Sequence, residues 1–83
     1  MPLFMDIHRV GEGVTPEALA EAHLADTKVQ EQHGVKYLRY WFNQPAGHIF
    51  CLVEAPDADA ANRVHKEAHG LVADEIFEVT EHS

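Results

Sequence analysis

The order in which strand-like and helix-like segments follow one another leaves this chain few possible folds. Alternating or β-branched apolar runs predict strands over residues 3–10, 35–42, 48–55 and 74–80. Helical periodicity predicts helices over 16–33 and 58–69, with Thr15 and Asp57 able to cap their starts and Gly34 and Gly70 able to end them. The order β-α-β-β-α-β predicts one ferredoxin-like α+β domain over residues 1–83. In this fold a four-stranded antiparallel sheet has its first and third strands in the centre and both helices on one face.

The second predicted strand has no polar side. Strict alternation would place Tyr37, Arg39 and Trp41 on one side of the sheet, and Leu38, Tyr40 and Phe42 on the other. An apolar sheet face is not left in water, so we expect an identical subunit to cover it and form a dimeric α+β barrel. Trp41 and the nearby Tyr37 and Tyr40 are expected in that homodimer interface.

Charge and cysteine content exclude several classes of protein. Fourteen acidic residues against six basic ones give a net charge of -8, which argues against nucleic acid or an anionic membrane as a partner. One cysteine, Cys51, cannot form an internal disulfide or a thiolate metal cluster, and we expect it to be a small buried hydrophobe. No apolar run is long enough to span a membrane and Met1–Arg9 does not resemble a secretory signal, so the expected location is cytoplasmic.

Seven histidines in a chain rich in carboxylates indicate metal-binding chemistry. His65 and His69 are four residues apart, the spacing at which one helix supplies two metal ligands. The predicted topology brings His8 and His48 to the same end of the sheet as this pair. Carboxylates expected at the same end are Glu17, Glu21, Asp74 and Glu75.

Asp6 and His8 project from the same side of the first strand. If that side is the uncovered face, both side chains look into the space between two subunits. A metal-free alternative is a buried polar pair of Asp6 with His8 or with Tyr40.

One flank of the first helix carries further polar side chains, which we read as a solvated edge or as support for a ligand on another segment. They are His23, Asp26 and Gln30.

Several runs of sequence resemble a family of small bacterial nickel-binding proteins. The runs are Phe4–His8, His33–Trp41, Phe50–Pro56, His65–Leu71 and Asp74–Ile76. The resemblance implies a dimeric ferredoxin-like α+β barrel, nickel as the metal and no established reaction. The positions that match the histidine and acid motifs of the family are Asp6, His8, Glu54, His65 and His69.

The leading hypothesis is a cytoplasmic nickel(II)-binding protein that acts in storage, buffering or response, with no catalytic residue. Imidazole and carboxylate ligands also suit other divalent transition metals, so the choice of nickel depends on the resemblance. The predicted metal ligands are Asp6, His8, His48, Glu54, His65 and His69.

Two alternatives stay open at this stage. The first is an oxygenase, isomerase or lyase of the dimeric-barrel type that acts in the cavity between two sheets. Its general base would be His8 or His65, and its oxyanion partner Tyr40 or Arg39. The second is a metal-free binding or regulatory module.

Overall fold

The segments of the chain form one antiparallel sheet with two helices. A computed structural model describes residues 1–83. Its elements are β1 (Leu3–Arg9), α1 (Pro16–Val29), a 3₁₀ turn (Gln30–His33), β2 (Lys36–Asn43), β3 (His48–Glu54), α2 (Ala58–Ala68) and β4 (Glu75–Val79). The strand order β2-β3-β1-β4 places β1 and β3 in the centre. The predicted ferredoxin-like α+β fold is therefore confirmed.

The helix starts follow from the capping residues seen in the sequence. Thr15 accepts a hydrogen bond from the Ala18 N–H at 3.1 Å, and Asp57 accepts one from the Ala60 N–H at 2.8 Å. α1 ends at Val29, four residues before the predicted end, because residues 30–33 tighten into a 3₁₀ turn. Gly34 closes that turn in the left-handed conformation, with φ of 66°.

The helices cover one face of the sheet, and this face contains the core. Alternate residues of the two central strands are buried there: Phe4, Asp6, His8, Ile49, Cys51 and Val53. α2 contributes Ala60, Ala61, Val64 and His65 to the same layer. Asp6 and His8 thus face the helices. The expectation that they project into the space between two subunits is therefore wrong.

A β-bulge changes the expected alternation of β2. Tyr37 pairs with Val53 and Arg39 pairs with Leu52, so Leu38 is an extra residue in the ladder. The extra residue places Tyr37 on the inner face together with Tyr40 and Phe42. Tyr37 is buried and Tyr40 lines a cavity on the helix side, so the prediction that both lie at a dimer interface is wrong.

The other face of the sheet carries apolar side chains that nothing in the subunit covers. We call it the open face; it includes Leu3, Met5, Leu38, Trp41, Leu52, Phe77 and Val79. Trp41 and Phe77 are 47% and 50% exposed. Neither α1 nor α2 has the length and apolar character of a membrane-spanning helix.

Candidate metal centre

Four buried side chains from three elements meet between the sheet and α2. We call Asp6, His8, Cys51 and His65 the inner group; their possible ligand atoms lie within 4.8 Å of one another. The Nε2 atoms of His8 and His65 are 3.2 Å apart, and the two Asp6 oxygens lie 3.1 Å from His8 Nε2 and 3.0 Å from His65 Nε2. All four residues are buried, so the inner group lies within the core of the subunit.

The hydroxyl of Tyr37 contacts two members of this group. It donates to Asp6 Oδ2 at 2.9 Å and lies 2.7 Å from His65 Nε2. Of the two partners predicted for Asp6 in a metal-free pair, His8 lies close to it, whereas Tyr37 takes the place of Tyr40 because of the bulge at Leu38. Tyr37 is fixed at its other end, since its N–H donates to Gln30 Oε1 at 2.9 Å.

A second set of ligand atoms surrounds the other nitrogen of His65. We call Asp26, His65 and His69 the outer group. Asp26 Oδ1 lies 3.0 Å from His65 Nδ1 and 3.0 Å from His69 Nε2. Asp26 is buried, which corrects its assignment to a solvated edge of α1 and fits the alternative reading as support for a ligand elsewhere.

The buried position of His65 differs from the half-exposed helix flank expected for it. Its side chain is 2% exposed, because α2 packs with Ala61, Val64 and His65 all directed inward. His69 follows the end of α2 and its side chain is 18% exposed. One histidine of the pair therefore belongs to the core and the other to its edge.

Charge in the cluster is set by the two carboxylates. Burial by itself lowers the pKa of His65, but hydrogen bonds to Asp26 and Asp6 raise it to about 9. Burial would raise the pKa of Asp6, yet the close imidazoles of His65 and His8 hold that pKa well below its usual range. Burial lowers the pKa of His69. At neutral pH the metal-free cluster thus contains a carboxylate at Asp6 and an imidazolium at His65.

Burial raises the pKa of both the Cys51 thiol and the Tyr37 hydroxyl, and the negative charge of Asp6 raises each further. Both groups are therefore neutral at neutral pH in the metal-free protein. A coordinated metal ion would reverse this for the thiol, because coordination removes its proton.

The inner group has the donors and the unsatisfied atoms expected of a metal site. Two buried side-chain atoms make no hydrogen bond: His8 Nδ1, and Asp6 Oδ1, whose 3.1 Å contact with His8 Nε2 lacks hydrogen-bond geometry. Carboxylate, imidazole and thiolate donors together suit Ni²⁺, Co²⁺, Cu²⁺ and Zn²⁺. The residues therefore fit a divalent transition metal ion.

A small cavity connects the two groups. It has a volume of about 40 Å³, and its polar lining comes from His8, His23, Asp26, Tyr40, His65 and His69. The rest of the wall is Cys51 and the apolar side chains of Leu19, Ala22, Ile49 and Leu71. Since Leu71 is exposed and His69 is partly exposed, the cavity reaches the surface at this edge of the subunit.

The remaining predicted ligands lie away from this cluster. His48 and Glu54 alternate with the buried Ile49, Cys51 and Val53 of β3, and so project from the open face. Asp74 and Glu75 bind Arg9: Asp74 accepts from the Arg9 N–H at 2.6 Å and Glu75 forms an ion pair with its guanidinium.

Glu17 and Glu21, on α1, are exposed. Of the six predicted ligands, the structure brings together Asp6, His8, His65 and His69.

The position of Arg39 bears on the enzymatic alternative. Arg39 pairs with Leu52 on the open face, whereas His8, His65 and Tyr40 line the cavity on the helix side. The sheet therefore separates Arg39 from the predicted general bases.

Sequence reasoning missed two participants in the cluster and identified a third only as one of two alternatives. It places Tyr37 at an interface and Cys51 in apolar packing, and it gives Asp26 either a solvated edge or a supporting role. Only Asp26 carried a usable signal, since it was the carboxylate among the polar residues along one flank of α1. The other two depend on the bulge and on the packing of β3 against α2.

Comparisons with known proteins agree with this fold. The crystal structure of SCO4226 from Streptomyces coelicolor A3(2) matches with a TM-score of 0.90 and 42% sequence identity, over 98% of this chain and 99% of that chain. No curated protein matches the sequence significantly. A family model described as "Nickel responsive protein SCO4226-like" matches residues 4–79, which include both the inner and the outer group. The chain therefore belongs to the SCO4226-like family of nickel responsive proteins.

Proposed function

We propose that this protein binds nickel(II) in the inner group and serves in storage of, buffering of or response to the metal, without a catalytic reaction. The observation that carries the proposal is the convergence of Asp6, His8, Cys51 and His65, whose ligand atoms lie within 4.8 Å of one another in the core. In the metal-free cluster Asp6 Oδ1 accepts no hydrogen bond, although His8 Nε2 lies 3.1 Å from it. An ion coordinated there would satisfy that oxygen and bind both imidazoles.

The choice of nickel over other metals comes from the family. The ligand atoms of the inner group by themselves do not distinguish Ni²⁺ from Co²⁺, Cu²⁺ or Zn²⁺. The family description names a response to nickel, and the matching region contains the whole inner group. The relative of known structure comes from a bacterium, and we extend a bacterial origin and a cytoplasmic location to this chain as part of the same proposal.

We further propose that two subunits pair through their open faces. Leu38, Trp41 and Phe77 are large apolar side chains exposed on that side of the sheet. A groove lined by Leu3, Met5, Leu52 and Val79 runs between them. Burying these side chains against a second copy would remove the apolar surface from water, as in other two-fold homodimers.

Calorimetric titration with Ni²⁺ tests the metal-binding proposal, on protein purified without an affinity tag. The wild type should bind one ion per subunit, and Asp6→Asn or His8→Ala should weaken binding about 100-fold or more, since each removes a ligand. Matched controls are His48→Ala and Glu54→Gln, which lie on the opposite face of the sheet and should leave the affinity unchanged.

Circular dichroism must show that each variant is folded. Unchanged nickel binding in folded Asp6→Asn and His8→Ala would contradict the assignment of the inner group. Loss of nickel binding in His48→Ala and Glu54→Gln instead would indicate that the metal site lies on the open face.

A further inference from the structure

His65 is shared by two sets of ligand atoms that differ in position. Its Nε2 faces Asp6 and His8, and its Nδ1 faces Asp26 at 3.0 Å. A neutral imidazole offers one lone pair, and its other nitrogen carries a proton. An ion on Nε2 therefore leaves Nδ1–H donating to Asp26, and an ion on Nδ1 leaves Nε2–H donating to Asp6. With a neutral His65, the inner and outer groups cannot both hold an ion.

The two groups also differ in access to solvent. Asp6 is fully buried, and the other inner residues are buried as well. In the outer group the His69 side chain is 18% exposed. Both Asp26 and His69 line the cavity that reaches the surface beside Leu71, and His8 and Cys51 line its deeper part. An ion coming from solvent therefore meets the outer group first.

The outer group is also the weaker set of ligands. It offers three side chains against four in the inner group. His69 Nδ1 accepts a hydrogen bond from the Leu71 N–H at 3.1 Å, so its proton sits on Nε2. Coordination through Nε2 would move that proton to Nδ1 and break the bond to Leu71. Because binding at His69 would break this hydrogen bond, we expect an ion to occupy the outer group only briefly.

We infer that the outer group of Asp26, His65 Nδ1 and His69 is a transient capture site, from which the ion crosses the cavity to the inner group as His65 changes its coordinating nitrogen. The inference rests on the proposed function. In the transfer the bonds from the metal to Asp26, His69 and His65 Nδ1 break, and bonds to Asp6, His8, Cys51 and His65 Nε2 form. The proton released by Nε2 is balanced by one taken up at Nδ1, and the Cys51 thiol releases its proton to solvent. The Nδ1–H then donates to Asp26, the arrangement in which a carboxylate orients a metal-bound histidine.

Stopped-flow mixing with Ni²⁺ alone tests the capture site, because Cys51 belongs to the inner group and not to the outer group. The near-ultraviolet charge-transfer band of a nickel-bound thiolate reports arrival at the inner group. In the wild type its rate should level off with rising Ni²⁺ concentration, as expected for capture followed by transfer. Calorimetry should give one ion per subunit.

The decisive variant is His69→Gln. It should reach the wild-type band amplitude with a rate about tenfold lower, since only the route is altered. His33→Gln is the matched control, because His33 forms a surface ion pair with Glu67 and should leave the rate unchanged. His69→Ala serves as a second variant, should His69→Gln lose its native circular dichroism.

Two results would overturn the capture site while the proposed function stands: a wild-type rate in folded His69 variants, or two ions per wild-type subunit. Absence of nickel binding in the wild type, or a bound ion with no thiolate band, would overturn the proposed function itself.

Discussion

At the scale of single residues, His65 holds the cluster together. It contacts Asp6 and His8 through Nε2 and Asp26 through Nδ1. In the metal-free protein the imidazolium of His65 lies beside two carboxylates, and its pKa of about 9 reflects their hydrogen bonds. In the proposed nickel-bound state, the ion would replace the proton on Nε2 of this ring.

Nickel affinity should therefore depend on pH well above the usual range for histidine. Below the His65 pKa of about 9, each bound ion must displace a proton from Nε2. Affinity should rise about a hundredfold per pH unit between about pH 6.5 and about pH 8, and binding near pH 7.5 should release about two protons, one from His65 and one from the Cys51 thiol. Competition titrations and calorimetry in buffers of different ionisation enthalpy measure both quantities.

The control for this experiment is His33→Gln, which changes an imidazole outside both ligand groups and should keep the wild-type slope. An affinity that stays constant over this pH range would contradict coordination by His65.

At the scale of elements, α2 and β2 position the cluster by different means. α2 begins at the Asp57 cap, and its inward face brings His65 to the sheet two turns later. β2 brings Tyr37 to the same place through the bulge at Leu38. Helix capping and the bulge thus determine which side chains reach the cluster.

Removing the cap of α2 should lower stability without altering the metal site. Asp57→Ala removes the acceptor of the Ala60 N–H, and we expect the metal-free protein to lose about 1 kcal/mol of unfolding free energy. Urea denaturation measures this loss. The nickel affinity of the folded variant should stay unchanged, because His65 lies towards the other end of α2.

Asp59→Ala is the matched control, since Asp59 is an exposed carboxylate in the first turn of α2 that does not cap it. Equal destabilisation by the two variants would show that charge near the helix start, and not the cap, accounts for the effect.

At the scale of the whole molecule, the sheet separates two kinds of chemistry. Its helix side contains the ionisable cluster, and its open face carries exposed aromatic and aliphatic side chains. A dimer formed through the open face would leave the cavity edge at His69 and Leu71 accessible in both subunits, because that edge lies on the helix side.

Trp41→Glu should dissociate this dimer. Trp41 is 47% exposed on the open face, and a buried unpaired charge at the centre of an interface is strongly unfavourable. Light scattering should give twice the 9.3 kDa chain mass for the wild type and a monomer for the variant. Arg63→Glu, on the exposed side of α2, should remain a dimer. A wild type that scatters as a 9.3 kDa monomer at micromolar concentration would contradict the proposed pairing.

The sequence by itself determined the order of elements, the caps at Thr15 and Asp57, and the shared direction of Asp6 and His8 on β1, because each depends on residues close together in the chain. Only the tertiary structure decided which face those two residues take and that His65 is buried. It also decided that Tyr37 and Asp26 join the cluster. An extra residue at Leu38 reverses the direction of every side chain before it in β2, and no local pattern marks that position. Asp26 and His65 are 39 residues apart, so their contact arises only when α1 and α2 pack on the same face of the sheet.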